Sequence, residues 1–494
     1  MDLFTIGFPQ ALTLENLLFC FIGVFLGTFV GVLPGIGALA AISLLLPITY
    51  YIDAIPAIVM LAGIYYGSEY GGSTAAILLR LPGTASSAIT CMDGYPMTQQ
   101  GKAGVALFTT TIASFVGGSI GILVLMFLIP VIVALTMEFG PAQYFAAMLF
   151  GLVASATIGQ GDPLKSIAMV VLGLLFGVIG ADVDTGTIRY TFGVLSLYDG
   201  ISLVTLAMGL FGVSELIASV VSSRHAPVRQ RISFRSMLPD RGEVRRATGA
   251  TLRGTGLGSV FGPLPGTGPI MASFLSYALE KRLSRTPEKF GTGAIEGVAA
   301  PEAANNATIQ TAFVPTLSLG IPGTPTMAII LGALMIHGIV PGPKMIEGHP
   351  ELFWGLVASF WIGNVMLVIL NIPLIGLWVR LLQMPYKYLY PVVICLICVG
   401  TYSVNLNLFD VVLLIVFGFM GYGMRLLGFE PAPLLIGFVL GPMIEEQFRR
   451  AMLMARGDFT RLFDGPIATT LLVMSLLLAL WIVVSVFRPA RARP

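Results

Sequence analysis

The stretch from Gly121 to Ala134 carries no charged side chain, and neither does the stretch from Leu471 to Phe487. Apolar runs of this kind recur along the chain and leave few folds open. Only 11% of the residues are charged, against about 25% in soluble proteins. The 27 Lys+Arg and 25 Asp+Glu residues cannot cover a soluble globule of 494 residues. Disorder requires low hydrophobicity and high charge, whereas 56% of this chain is hydrophobic and its mean hydropathy is +0.90. A transmembrane β-barrel would alternate in short segments of roughly ten residues. The class that remains is an all-α polytopic membrane protein. The net charge of +2 gives no ground for nucleic-acid binding.

The predicted organisation is about 10–14 hydrophobic segments, near 17–33, 36–50, 54–79, 103–136, 142–157, 166–181, 201–221, 254–279, 313–340, 353–382, 391–404, 408–424, 431–443 and 467–487. Several are shorter than the roughly 20 residues a helical span needs. Some are therefore expected to be half-helices or re-entrant hairpins. The 58 glycines and 31 prolines point the same way, to close helix packing and broken helices. The N-terminal MDLFTIGF lacks the basic region of a cleaved signal peptide, so the first residues are expected to be retained.

One polar linker, 222–253, divides a first membrane repeat (1–221) from a second (254–466), with a final helix and basic tail at 467–494. The linker holds Arg224, Arg229, Arg231, Arg235, Arg241, Arg245, Arg246 and Arg253 against Asp240 and Glu243. That charge beside membrane segments marks a cytoplasmic loop, and about 30 residues are too few to build a core of their own. The two halves echo each other. G-V-L-P-G-I-G at 31–37 is matched by G-P-L-P-G-T-G at 262–268, and L-P-G-T at 81–84 by I-P-G-T at 321–324. Two matches in the same order point to an internal duplication. Before Arg224 the basic residues are only Arg80, Lys102, Lys165 and Arg189. Segment 254–279 has basic flanks on both sides, whereas 17–50 has none. Read as a hairpin facing the other way, this predicts inverted repeats.

Each P-G break frees backbone N–H groups and aims a helix N-terminus at the gap, where an anion is the natural occupant. The breaks fall at Pro34–Gly35, Pro82–Gly83, Pro265–Gly266 and Pro322–Gly323, with Thr84, Ser86, Ser87, Thr267, Thr324 and Thr326 beside them. The competing reading of a single break is a mere kink. Acidic residues inside apolar segments are costly and so point to function. Glu69 lies among Ser68, Gly71, Gly72, Ser73 and Thr74, and Glu302 lies before Asn305 and Asn306. These polar groups suit a cation or a substrate carboxylate. The structural alternative for Glu302 is a helix cap, with Pro301 at a helix start.

Enzyme signatures are weak. No Walker A motif is present, His225, His337 and His349 are scattered, and no zinc-type cluster occurs. The GxSxG at 117–121 lies in an apolar helix, where small residues serve packing. Cys395 and Cys398 form a CxxC inside an apolar run, which favours packing over a metal or redox role.

At these motifs the chain resembles the large membrane subunit of the bacterial tripartite tricarboxylate transporters. The likeness rests on 31–37, on Y-G-S-x-Y-G-G-S at 66–73, on P-G-T at 82–84, and on D-G-Y-P at 93–96 with G-K-A at 101–103. It continues in P-G-T-G at 265–268, G-V-A-A-P-E-A-A-N-N at 297–306, G-I-P-G-T at 320–324 and G-P-M-I-E-E at 441–446 with Arg449 and Arg450. The resemblance implies a secondary transporter of the bacterial inner membrane, working with a small membrane subunit and a periplasmic solute-binding protein. It implies a carboxylate substrate and a sodium or proton gradient as driving force, with no cofactor and no enzymatic activity. Combined with the breaks, it makes Gly35, Gly37, Ser73, Gly83, Thr84, Gly266, Thr267, Gly268, Asn305, Asn306, Gly323 and Thr324 the candidate substrate site. Glu69 and Glu302 are then the candidates for cation coupling. A channel and a non-transporting scaffold are the rival readings.

Overall fold

The computed structural model describes the chain except residues 1, 34–36, 137–138, 157–162, 183–184, 223–233, 266–267, 343–344, 346–347, 382–385 and 488–494. The described residues are almost all helical, as an apolar chain must be when lipid offers its backbone no hydrogen bonds. The main helices of the first half are α1 (Leu14–Val32), α2 (Gly37–Leu45), α3 (Ala54–Leu79), α4 (Cys91–Gln99), α5 (Ala103–Thr136), α6 (Pro141–Ser155), α7 (Pro163–Gly177) and α8 (Ser214–Ser222). The second half has α9 (Arg241–Phe261), α10 (Gly268–Leu283), α11 (Glu296–Leu319), α12 (Pro325–Ile336), α13 (Pro350–Asn371), α14 (Tyr386–Asn405), α15 (Leu408–Leu426), α16 (Ala432–Met454) and α17 (Pro466–Phe487). Among the described residues, α1, α5, α13 and α15 are the helices long and apolar enough to cross a membrane. α2, α6, α7 and α12 are shorter, as the broken-helix expectation requires.

The centre is built from α3 and α11. Every residue of α3 from Pro56 to Leu78 is buried, as is every residue of α11 from Gly297 to Ser318. Each is clasped by a partner helix through glycines. A Cβ at Gly23, Gly27 or Gly31 of α1 would strike the backbone of Met60, Ile64 or Ser68 of α3. A Cβ at Gly254, Gly258 or Gly262 would strike Ala300, Ala304 or Thr308 on α11. The two sets correspond one to one at the offsets of the sequence motifs, 231 for the clasping helix and 240 for the central one. The helix ends correspond as well. Arg80 (φ 59°) closes α3 and Gly320 (φ 69°) closes α11, both left-handed, and a P-G-T break follows each.

The halves interlock. From the first half, α5 lays Gly117 and Gly121 on Ala303 and Ala307 of α11. From the second, α13 places Gly363 on Tyr66 of α3, and Tyr70 donates to Asn364 at 2.7 Å. Farther out, α7 and α16 meet at Gly173 and Gly437. Between α7 and α8, β1 (Gly180–Ala181) and β2 (Ile188–Arg189) form a two-residue antiparallel hairpin with Gly180 opposite Arg189.

Two expectations change here. The polar linker is not all loop, because its last residues are the first turns of α9. Asp240 caps them, accepting from Glu243 N (2.8 Å) while Glu243 accepts from Asp240 N (2.9 Å), a reciprocal capping box. Pro301 does not start a helix. It lies inside α11, which begins at Glu296, because Asp93 grips the preceding loop. Its Oδ1 accepts from Gly291 N (2.9 Å), Gly293 N (2.8 Å) and Ala294 N (2.8 Å). Glu302 is therefore not a helix cap.

The glycine register makes a direct prediction. Gly258→Ala should lower the melting temperature of the purified protein, by about 1–3 kcal/mol in stability, because the methyl overpacks a backbone contact. Gly256→Ala, on the same helix with open space around it, should leave stability unchanged or raise it. Equal melting temperatures for the two variants would remove the glycine clasp as a determinant of the fold.

Candidate functional site

The centre of the site is Glu69, 15 residues into α3 and 5% exposed. Its Oε2 accepts from Thr84 Oγ1 at 2.8 Å, from Ser86 Oγ, and from Asn305 Nδ2 at 2.9 Å. Thr84 and Ser86 belong to the segment after Pro82–Gly83, the first of the two P-G-T breaks that follow the central helices. Asn305 belongs to α11, in the other half. Gly83 brings that segment against the helices: a Cβ there would collide with the Gly31 carbonyl and with Gly72. Its N–H also reaches Gly72 O (3.4 Å). The glycine is thus required by close approach, not by turn conformation.

Glu302 lies one turn before Asn305, 1% exposed. Its Oε1 accepts from Thr90 Oγ1 at 2.6 Å. Thr90 continues the same segment that carries Thr84 and Ser86. Glu69 and Glu302, one from each central helix, therefore face one stretch of chain, 84–90.

The second break has a mirrored arrangement. Tyr65 of α3 has Thr324 and Thr326 as side-chain neighbours. Positions 65 and 305 are equivalent in the duplication, as are 86 and 326. So residue 65 of the first half touches position 326 of the second, and residue 305 of the second half touches position 86 of the first. A reciprocal exchange of this kind is what a two-fold relation between two units produces.

The predicted residues distribute as follows. Glu69, Gly83, Thr84, Asn305 and Glu302 come together around the first break. Thr324 caps α12, accepting from Met327 N at 3.2 Å, and Gly323 precedes it in open packing. Gly37 (φ 69°) and Gly268 (φ 57°) start α2 and α10 in the left-handed region, which favours glycine. Gly268 sits beside Thr324, so the hairpin α9–α10 meets the second break. Ser73 donates to Tyr70 O (2.9 Å) and Asn306 to Glu302 O (3.0 Å); both bonds stay within their own helices. Gly35, Gly266 and Thr267 lie outside the described residues. Sequence reasoning did not single out Thr90, Tyr65 or Asn364. Asn364 carried a signal, as an amide inside the apolar run 353–382. It accepts from Tyr70 and donates to Phe115 O (3.0 Å) and Ser119 Oγ (3.0 Å).

Among the described residues no group of three His, Cys, Asp or Glu side chains approaches a metal geometry. The four cysteines are free thiols.

A second polar centre lies between α7 and α16. Asp182 accepts from Arg449 (2.8 Å), Arg189 (2.9 Å) and Thr185 N (2.8 Å), and Glu445 accepts from both arginines (2.6 and 2.8 Å). Glu445 and Arg449 belong to the motif at 441–450. This polar centre pins the β-hairpin to α16.

A helical core with four described helices long and apolar enough to cross a membrane, and with Glu69 and Glu302 buried where its halves meet, is the build of a membrane protein with a polar centre. The chain belongs to the tripartite tricarboxylate transporter TctA family, which it matches over residues 17–436. It is 50% identical over 481 residues to an uncharacterized 52.8 kDa protein in the TAR-I ttuC' 3' region of Agrobacterium vitis, covering 96% of this chain and 95% of that one. It is 56% identical over 219 residues to an uncharacterized protein in the TAR-II ttuC' 3' region of the same organism, covering 44% of this chain and 90% of that one. No solved structure matches.

The Asp182 cluster predicts a pH dependence. Hydrogen bonding from the Thr185 backbone and the two arginines hold its carboxyl well below the usual range. Such a group stabilises the fold at every pH above its unfolded value of roughly 3.9, and the contribution is lost as pH falls through its lower folded value. Asp182→Asn should therefore lower the melting temperature at neutral pH, and the gap to the parent should close only in strong acid. A gap that does not change with pH would mean that the charge is not what stabilises the hairpin.

Proposed function

We propose that this chain is the transporting subunit of a binding-protein-dependent secondary transporter that imports a carboxylate across the bacterial inner membrane by alternating access. Family membership supports the tripartite assembly, with a small membrane subunit and a periplasmic solute-binding protein as partners. The observation that carries the mechanism is the exchange of contacts between halves, Glu69 to Asn305 on one side and Tyr65 to Thr324 and Thr326 on the other. Two interlocked repeats with a buried acidic centre at their junction are the plan on which one body rocks against another around a fixed site. The breaks after α3 and α11 supply backbone and hydroxyl donors for the substrate carboxylates. Glu69 and Glu302 supply the negative charge that a driving cation, proton or sodium, neutralises when an anion enters.

The repeats are proposed to be inverted, the linker side being cytoplasmic. Single cysteines at Leu12 and Arg245, both exposed and near-equivalent in the duplication, test this. An impermeant maleimide should reach position 12 from the periplasm and position 245 only from the cytoplasm. Labelling of both from one face would overturn the inversion.

Uptake tests the function. Cells carrying the chain with its neighbouring subunits should accumulate one member of a panel of labelled citrate, succinate and an aromatic acid against its gradient, and only with the binding protein. Glu69→Gln and Ser86→Ala should each cut accumulation at least tenfold at normal membrane abundance. Equilibration without accumulation would instead identify a channel, and wild-type uptake by both variants would displace the site.

A further inference from the structure

Among the described residues, buried oxygens of α11 stand without partners. Glu302 Oε2 and Asn305 Oδ1 are both fully buried acceptors with no hydrogen-bond partner. They stand one turn apart on one face of α11, the spacing at which helical side chains meet. Both side chains address the same segment, Glu302 through Thr90 and Asn305 through Ser86 (3.4 Å). Each residue is 1% exposed, so no bulk water satisfies them, and leaving two such acceptors bare is costly.

The amide orientation is not free. Asn305 Nδ2 donates to Glu69 Oε2, which turns Oδ1 the opposite way. Glu69 has three donors on that one oxygen, the environment of an ionised carboxylate. Glu302 has one donor on one oxygen and nothing on the other. A single hydrogen resolves both deficits: a hydron on Glu302 Oε2 donates to Asn305 Oδ1.

We infer that Glu302 is the proton-carrying group of this protein, held neutral while Glu69 is ionised, with the Asn305 amide bridging the two carboxyls. The inference rests on the transporter reading and deepens it by naming the coupling ion. The bookkeeping is simple: the O–H bond of Glu302 breaks, the proton leaves, and a carboxylate remains. That second negative charge lies across one amide from Glu69, so the deprotonated state is disfavoured until the surroundings rearrange. The other titratable groups around Glu302 are few. From α3 these are Glu69 and Tyr70, from α4 Cys91 and Asp93, and from α10 Tyr277 and Glu280. Asp93 is saturated by three backbone N–H groups and Tyr277 (2.9 Å), and Glu280 by Arg253 (2.6 and 2.7 Å). The stretch of α9 that faces α11, 254–262, has no titratable side chain, and neither have α5 and α12. Among the described residues, no basic side chain is a hydrogen-bond or ion-pair partner of Glu302.

The test needs no substrate. Infrared difference spectra between acid and alkaline pH are recorded on the purified full chain. The parent should show the C=O stretch of a buried protonated carboxyl at neutral pH, lost in alkali. Glu302→Gln should remove that band and stay folded, since its amide donates to Asn305 as the hydron does. Glu69→Gln should keep the band and shift its loss to lower pH, because the neighbouring charge is gone. Replacing choline by sodium at fixed pH should leave the band unchanged. Absence of the band in the parent, its survival in Glu302→Gln, or its removal by sodium would each overturn the assignment. Uptake separates this from the transport reading. If a proton gradient drives accumulation equally in the parent and in Glu302→Gln, the proton site is wrong and the transporter stands. If the band behaves as expected but no panel member accumulates, the proton site stands and the transporter reading fails.

Discussion

The contact between α1 and α3, repeated between α9 and α11, determines the rest of the structure. In a bilayer no hydrophobic force drives two helices together, since lipid is as apolar as leucine. What holds them is backbone-to-backbone packing, and that is possible only where every fourth residue of the clasping helix has no side chain. Gly23, Gly27 and Gly31, and then Gly254, Gly258 and Gly262, meet that condition. The close approach lets α3 and α11 be enclosed on all sides. Enclosure in turn makes their polar residues affordable only as a mutual network. Glu69, Asn305, Thr84, Ser86, Thr90 and Glu302 form that network.

Much of the architecture was readable in the amino-acid order. Long apolar runs gave the helical class, and the short segments 36–50, 142–157 and 166–181 became α2, α6 and α7, whereas the long segment 313–340 divides between the end of α11 and α12. The paired G-x-L-P-G-x-G and P-G-T motifs exposed the duplication, and Glu69 stood out as a charge in an apolar run. The glycine stripes were equally present in the sequence, at spacing four and at the same offsets, but in a chain with 58 glycines their register stands out only once a partner backbone is seen. Asp240 and Glu243 form a capping pattern that marks the start of α9. Other features are not local at all. That Asn305 reaches Ser86, or that α5 packs on α11, follows from how distant segments pair, and no periodicity within either segment encodes it. The start of α11 misleads for the same reason: a carboxylate 198 residues upstream, not Pro301, sets it.

The chemistry of the site follows from its sign. At the site the two central helices bring Glu69, Glu302 and Asn305, with no basic side chain among the hydrogen-bonding partners described for these three. An organic anion entering such a place meets repulsion unless a positive charge arrives with it. Under the proposed function, pairing of anion and cation would follow from composition at the site. The hydroxyls of Thr84, Ser86 and Thr90 are amphoteric, each able to donate to a carboxylate or accept from a protonated one. They can remain bonded as the charge of their neighbours changes.

The interlocking of α5 and α13 bears on how the chain is made. Tyr70 of α3 waits for Asn364, 294 residues later, and Glu69 for Asn305, 236 residues later. During synthesis the first half therefore enters the membrane with the helix that carries Glu69 unfinished. Neither half can complete its own centre, so insertion must hold α3 apart from lipid until the second half emerges. Biogenesis of this protein is thus a single cooperative event that spans nearly its full length.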